Sequence, residues 1–83
     1  LHTLNVSGNG FGKYITMLTL LQSLTNLHTL NVMMNNLGEH VTVLTGFTNL
    51  RTLSVGINKL GEHVTALTGL TNLRNLHVEW NDM

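Results

Sequence analysis

Leu50 to Thr71 reads LRTLSVGINKLGEHVTALTGLT, and the stretch beginning at Leu27 reads LHTLNVMMNNLGEHVTVLTGFT. Leu27, Leu50 and Leu73 are matching first positions, so the chain repeats itself with a period of 23 residues. Working outward, the units span 1–26, 27–49, 50–72 and a partial 73–83, and the first is three residues longer than the next two. Aligned from its C-terminal end, the first unit sets Leu18, Leu21 and Leu24 on Val41, Leu44 and Phe47. That alignment places the three extra residues just after Gly12, around Tyr14 to Thr16. The 83 residues are read as one domain, built by stacking one supersecondary unit on copies of itself.

Each unit carries two periodicities. In Thr52-Leu53-Ser54-Val55 apolar and polar residues alternate, as in a strand with one buried face. In Leu60, Val64, Leu67 and Leu70 the spacing is four, three and three, the period of a short helix or tight helical turns. Neither element buries its apolar side alone, but stacked copies share one leucine core. The strands then pair in parallel at about 4.8 Å. Helical segments need more room than that, so the stack curves with its sheet on the concave side.

Each unit opens LxxLxVxxNxL, with the final Leu replaced by Phe11 in the first unit and Met83 in the fourth. Asn9, Asn35, Asn58 and Asn81 recur in phase at one position. This pattern resembles the leucine-rich repeat, and its 23-residue length and LTNL run are similar to internalin-type units. The resemblance implies an α/β solenoid, with a curved parallel β-sheet on the concave side and short helical segments on the convex side. The GEHVTxL stretch departs from the family's usual 3₁₀ turn and reads as a short helix.

The recurrent asparagines sit where the chain leaves the strand and backbone groups lose their ladder partners. A side-chain amide has a donor and an acceptor end, so it can bond backbone on both flanks from unit to unit. Replacing one with Ala is expected to cost roughly 1–3 kcal/mol. A second series, Asn26, Asn49 and Asn72, precedes each strand and is read as shaping the return turn. Gly12, Gly38 and Gly61, and also Gly46 and Gly69, recur in phase, which argues for backbone roles.

Composition closes off several functions. Leucine occurs seventeen times, threonine twelve and asparagine eleven, while cysteine and proline are absent. There is thus no disulfide framework, no thiol chemistry and no Cys-based zinc site. Four basic residues balance four acidic ones, which removes the electrostatic case for nucleic acid. No apolar run reaches membrane-spanning length, so no membrane insertion is expected. Ser7 to Tyr14, SGNGFGKY, brushes against a phosphate loop, but Ser7 stands where the first Gly belongs and Tyr14 follows Lys13. Glu39-His40 and Glu62-His63 share one repeat position, yet no third metal ligand recurs with them. His77 and Glu79 are an acid-base pair on one strand face with no nucleophile beside them. No cofactor, no metal site and no enzymatic activity are expected.

Copies of one position show where a partner would sit. The third position reads Thr3, Thr29, Thr52, Asn75, and the fifth Asn5, Asn31, Ser54, His77. The seventh reads Ser7, Met33, Gly56, Glu79, and the eighth Gly8, Met34, Ile57, Trp80. The concave surface thus grows larger and more apolar toward its C-terminal end. The expected partner is a protein, centred on Trp80, His77, Glu79, Ile57 and Met34, with Met33, Asn75 and the rim residue Arg74. His77 beside Glu79 adds an expected pH dependence. The alternative is a structural spacer in a longer array, or a consensus-like engineered repeat without a partner. Leu1, Leu4, Val6, Leu76 and Val78 are expected bare at uncapped ends, favouring marginal stability or self-association.

Overall fold

The computed structural model describes residues 2–20 and 26–81, without the side chains of 13 and 18–20. Four three-residue strands, β1 (Thr3–Asn5), β2 (Thr29–Asn31), β3 (Thr52–Ser54) and β4 (Asn75–His77), form one sheet in the order β1-β2-β3-β4. Every pairing is parallel and in repeat register: Thr3 faces Thr29, Thr29 faces Thr52, and Thr52 faces Asn75. Among the described residues, helical segments run between strands at Gly12–Leu20, Gly38–Gly46 and Gly61–Gly69.

These segments are 3₁₀ helices, which corrects the expectation of a short helix departing from the 3₁₀ turn. The reason lies in the spacing. Val41, Leu44 and Phe47 are three apart, and so are Val64, Leu67 and Leu70. With 3.0 residues per turn such residues eclipse one another, so all of them face the core along one line. An α-helix would rotate each successive one away. Threonines reinforce the i, i+3 pattern: Thr45 donates its hydroxyl to the Thr42 carbonyl at 2.8 Å, and Thr68 to that of Thr65 at 2.9 Å.

The helical segment of the first unit begins as the later ones do. Gly12, Gly38 and Gly61 share φ = +51° and donate their N–H to the carbonyls of Asn35, Asn58 and Asn81 respectively. Tyr14, His40 and His63 then close the first helical turn on Phe11, Leu37 and Leu60, each at 2.9 Å. Tyr14 thus stands in the histidine position and is exposed, while Ile15 matches Val41 and is buried like it. Three residues make one whole 3₁₀ turn, so Ile15 faces the core with the insertion placed around Tyr14 to Thr16 as much as with one placed later. Tyr14 to Met17 is helical, as expected; Leu21 and Leu24, which bear on any extra turn, lie outside the described residues.

The core lies between sheet and helical segments and is made of Ile15 and the leucines, valines and Phe47 of the middle units. Leu30 and Leu53 are fully buried on β2 and β3, whereas Leu4 is half-buried and Leu76, on β4, is exposed. Val6 and Val78 are half-buried; Leu1 lies outside the described residues.

The asparagine ladder is present and directional. Asn58 Oδ1 accepts from the N–H of Asn35 (2.8 Å) and of Leu37 (3.4 Å), both in the preceding unit. Its Nδ2 donates to Val32, Val55 and Gly56 carbonyls at 2.9, 2.8 and 3.1 Å. Asn35 and Asn81 repeat the scheme, and all three are buried with no buried side-chain polar atom left unsatisfied among the described residues. In the second asparagine series, Asn72 donates from Nδ2 to the Thr48 carbonyl at 2.9 Å, so it ties units together as well as preceding a strand.

Candidate functional site

Each unit leaves its strand through left-handed backbone at alternate residues. Gly8 and Gly10 supply it in the first unit, with φ of +73° and +58°. The later units put Met34 (+56°), Asn36 (+54°), Ile57 (+56°), Lys59 (+55°) and Trp80 (+64°) in the same places. Left-handed backbone costs a side-chain-bearing residue about 1–2 kcal/mol, and a β-branched residue there is a true outlier. Met34 N–H bonds the Gly56 carbonyl at 3.1 Å and Ile57 N–H bonds that of Glu79 at 3.0 Å, which holds the strained residues in step.

The strained side chains do not serve the core. Met34 is 48% exposed, Ile57 43% and Trp80 79%. With Asn36 and Lys59 they line one shallow cavity of about 520 Å³. An apolar ladder of one Met, one Ile and one Trp is therefore displayed along the edge where the strands end.

The remaining expected contact residues fall into two other places. Asn75 and His77 stand on β4, in register with Thr52 and Ser54. A Cβ added at Gly56 would lie 3.5 Å from Met33 Cε, 3.8 Å from the Glu79 carboxyl carbon and 3.2 Å from the Glu79 carbonyl. Met33 and Glu79 therefore close over a bare glycine on the strand face. His77 and Glu79 share that face, but no hydrogen bond or ion pair joins them among the described residues. Asn31 Oδ1 accepts from Met33 N–H at 3.1 Å, so this side chain serves the strand exit.

Arg74 lies at the opposite end of the strands. There it lines a cavity of about 430 Å³ with His28, Arg51, Thr71, Asn72 and neighbours in the return turns. The expected site is thus divided: Met34, Ile57 and Trp80 come together, and Arg74 is apart from them. Desolvation, the Arg51 cation and then His2 hold the His28 imidazole below its ordinary value. The His2 and His28 rings stack with centroids 4.9 Å apart. Of this second-position column, sequence reasoning expected only Arg74 to take part in a site. Its signal was visible in the column itself, which reads His2, His28, Arg51, Arg74 without one acid. Lys59 and Asn36 were also missed beside the apolar ladder; the left-handed Gly10 at the same position was the available clue.

A third cavity, of about 430 Å³, lies on the helical side between Thr42, Glu62, His63, Thr65 and Ala66. Among the described residues no three His, Asp or Glu groups converge as a metal site would require, and no helix is long and apolar enough to cross a membrane. No protein family, curated protein or solved structure matches the chain.

Proposed function

We propose that the chain is a segment of a leucine-rich-repeat solenoid that recognises a protein partner, without catalysis, through the exposed ladder Met34, Ile57 and Trp80. The fold reading is supported by the in-register parallel strands, the 3₁₀ returns and the buried asparagine ladder. The functional reading is carried by a single observation: three successive units hold large apolar side chains exposed, on left-handed backbone that glycine or asparagine would adopt with less strain. Strain of this kind persists where a side chain is needed for something other than folding. Burying a displayed Trp together with Ile and Met contributes several kcal/mol to an interface, and aromatic anchors dominate such energetics. Met33, Asn75, His77 and Glu79 would extend the contact over the sheet face, and Lys59, which lines the ladder's cavity, offers a charged rim.

The test uses peptides selected from a random display library against the 83-residue chain, with the contact surface then mapped by NMR. Binders should footprint on Met34, Ile57 and Trp80 and lose at least about tenfold in affinity, roughly 1.4 kcal/mol, against a chain with all three replaced by Asn. Because Asn accepts left-handed backbone, that variant keeps its fold. Binders that footprint elsewhere and ignore the replacement would overturn the proposal in favour of a spacer role.

A further inference from the structure

We infer that the cavity between the return turns leading into β3 and β4 is an anion site for a phosphate-class dianion, coordinated by Arg51 and Arg74. The two arginines occupy the same repeat position on adjacent parallel strands. Arg74 N–H donates to the Arg51 carbonyl at 2.8 Å and Asn75 N–H to the same oxygen at 3.0 Å, so the side chains leave backbones about 4.8 Å apart. Both side chains are exposed, and neither has a hydrogen bond or ion pair among the described residues.

No carboxylate side chain lines the cavity. Glu39 and Glu62 begin helical segments, Glu79 follows β4 at the far end of the strands, and Asp82 lies outside the described residues. Like charges side by side across strands are destabilising, and this pair lacks an internal counter-charge. Two guanidinium forks match the tetrahedral oxygens of a phosphate bidentately. Their two positive charges match a dianion, whereas one carboxylate would leave one arginine uncompensated. Thr71 and Asn72 add hydrogen-bonding groups to the wall, and His28 extends the column beyond Arg51. The volume falls within the range of small-molecule sites, so it accommodates an esterified phosphate as well as the free ion. This inference is independent of the apolar ladder at the other end of the strands.

The test is an NMR titration of the full chain with inorganic phosphate, O-phosphoserine, acetate and chloride at matched ionic strength, read at the His28 ring protons and the arginine Nε–H groups. Phosphate should give a saturable shift that chloride and acetate do not give. Arg51→Gln and Arg74→Gln should each weaken phosphate at least about tenfold, Arg51→Lys should weaken it less, and Lys59→Gln should leave it unchanged. Equal saturation by phosphoserine assigns an esterified group, and saturation by phosphate alone assigns the free ion. Identical responses to phosphate and chloride would overturn the site. So would saturation by acetate as tight as by phosphate, or phosphate binding that survives the double Arg→Gln replacement.

Discussion

Asn58→Ala should remove a large share of the stability of this chain, and Asn9→Ala almost none, although both occupy the same place in the repeat. Counting lost bonds would overstate the first effect, because Asn58 makes five. The Val32 carbonyl keeps Asn35 Nδ2 at 2.9 Å, that of Val55 keeps Asn81 Nδ2 at 3.0 Å, and that of Gly56 keeps Met34 N–H at 3.1 Å. The groups left without a partner are the buried N–H of Asn35 and, with its longer 3.4 Å bond, that of Leu37. Orphaning one buried group costs about 1–3 kcal/mol; the second adds less, and three half-satisfied carbonyls add a little more. The expected total is about 3–5 kcal/mol, against roughly 4–12 kcal/mol for a whole domain of this size.

Asn9 is exposed, and its side chain donates only within its own unit, from Nδ2 to the carbonyls of Val6 at 2.7 Å and Ser7 at 3.3 Å. The Val6 carbonyl keeps Asn35 Nδ2 and Ser7 has water, so this replacement should cost below about 1 kcal/mol. Asn35 falls between the two, since its oxygen serves the part-buried N–H groups of Asn9 and Phe11, each at 3.2 Å. Urea unfolding of the three variants gives the order directly, with hydrogen exchange at the Asn35 amide as the local readout. Equal losses at positions 9 and 58 would refute the reasoning, because the penalty would then come from the turn and not from the ladder.

Glycine replacements should divide by conformation: Gly38→Ala and Gly61→Ala, at φ = +51°, should destabilise by about 1 kcal/mol or more in thermal melts. Gly46→Ala and Gly69→Ala, with nothing within 4 Å of an added Cβ, should stabilise by about 0.4–1 kcal/mol. Trp80→Asn, at a residue 79% exposed on left-handed backbone, should leave stability unchanged or raise it by up to about 1 kcal/mol in urea unfolding. For His28, facing Arg51 and His2 with Arg74 beyond, the folded-state imidazole lies below its unfolded value. Its contribution is therefore full above about pH 6.5 and is lost as pH falls below that through the lower folded-state value. Melting of the native chain against His28→Gln should show the acid-side loss only in the native chain.

What could be read from residues alone was whatever the repeat imposes on every unit. The strand register follows from Leu30, Leu53 and Leu76 recurring two residues before a valine, and the ladder follows from asparagines in phase at strand exits. One misreading came from apolar spacing taken without the backbone bonds that anchor it. The four-residue step from Leu60 to Val64 suited a short helix, whereas the two three-residue steps after it match the 3₁₀ turns that His40 and His63 begin.

Recurrence also proved an uneven guide to glycine. It marks a required left-handed residue at Gly38 and Gly61, but at Gly46 and Gly69 neither φ nor a close neighbour requires glycine. The converse case carries more of the function. Position eight holds the same backbone in every described unit, yet only Gly8 advertises it, and Met34, Ile57 and Trp80 conceal it behind ordinary apolar side chains. Read as an apolar column, those residues say that something large is exposed. With their backbone known, they say that folding alone would have favoured another residue at each place. The ladder is thus set by a conflict between local backbone preference and side-chain size, and that conflict marks the place where an interface is expected.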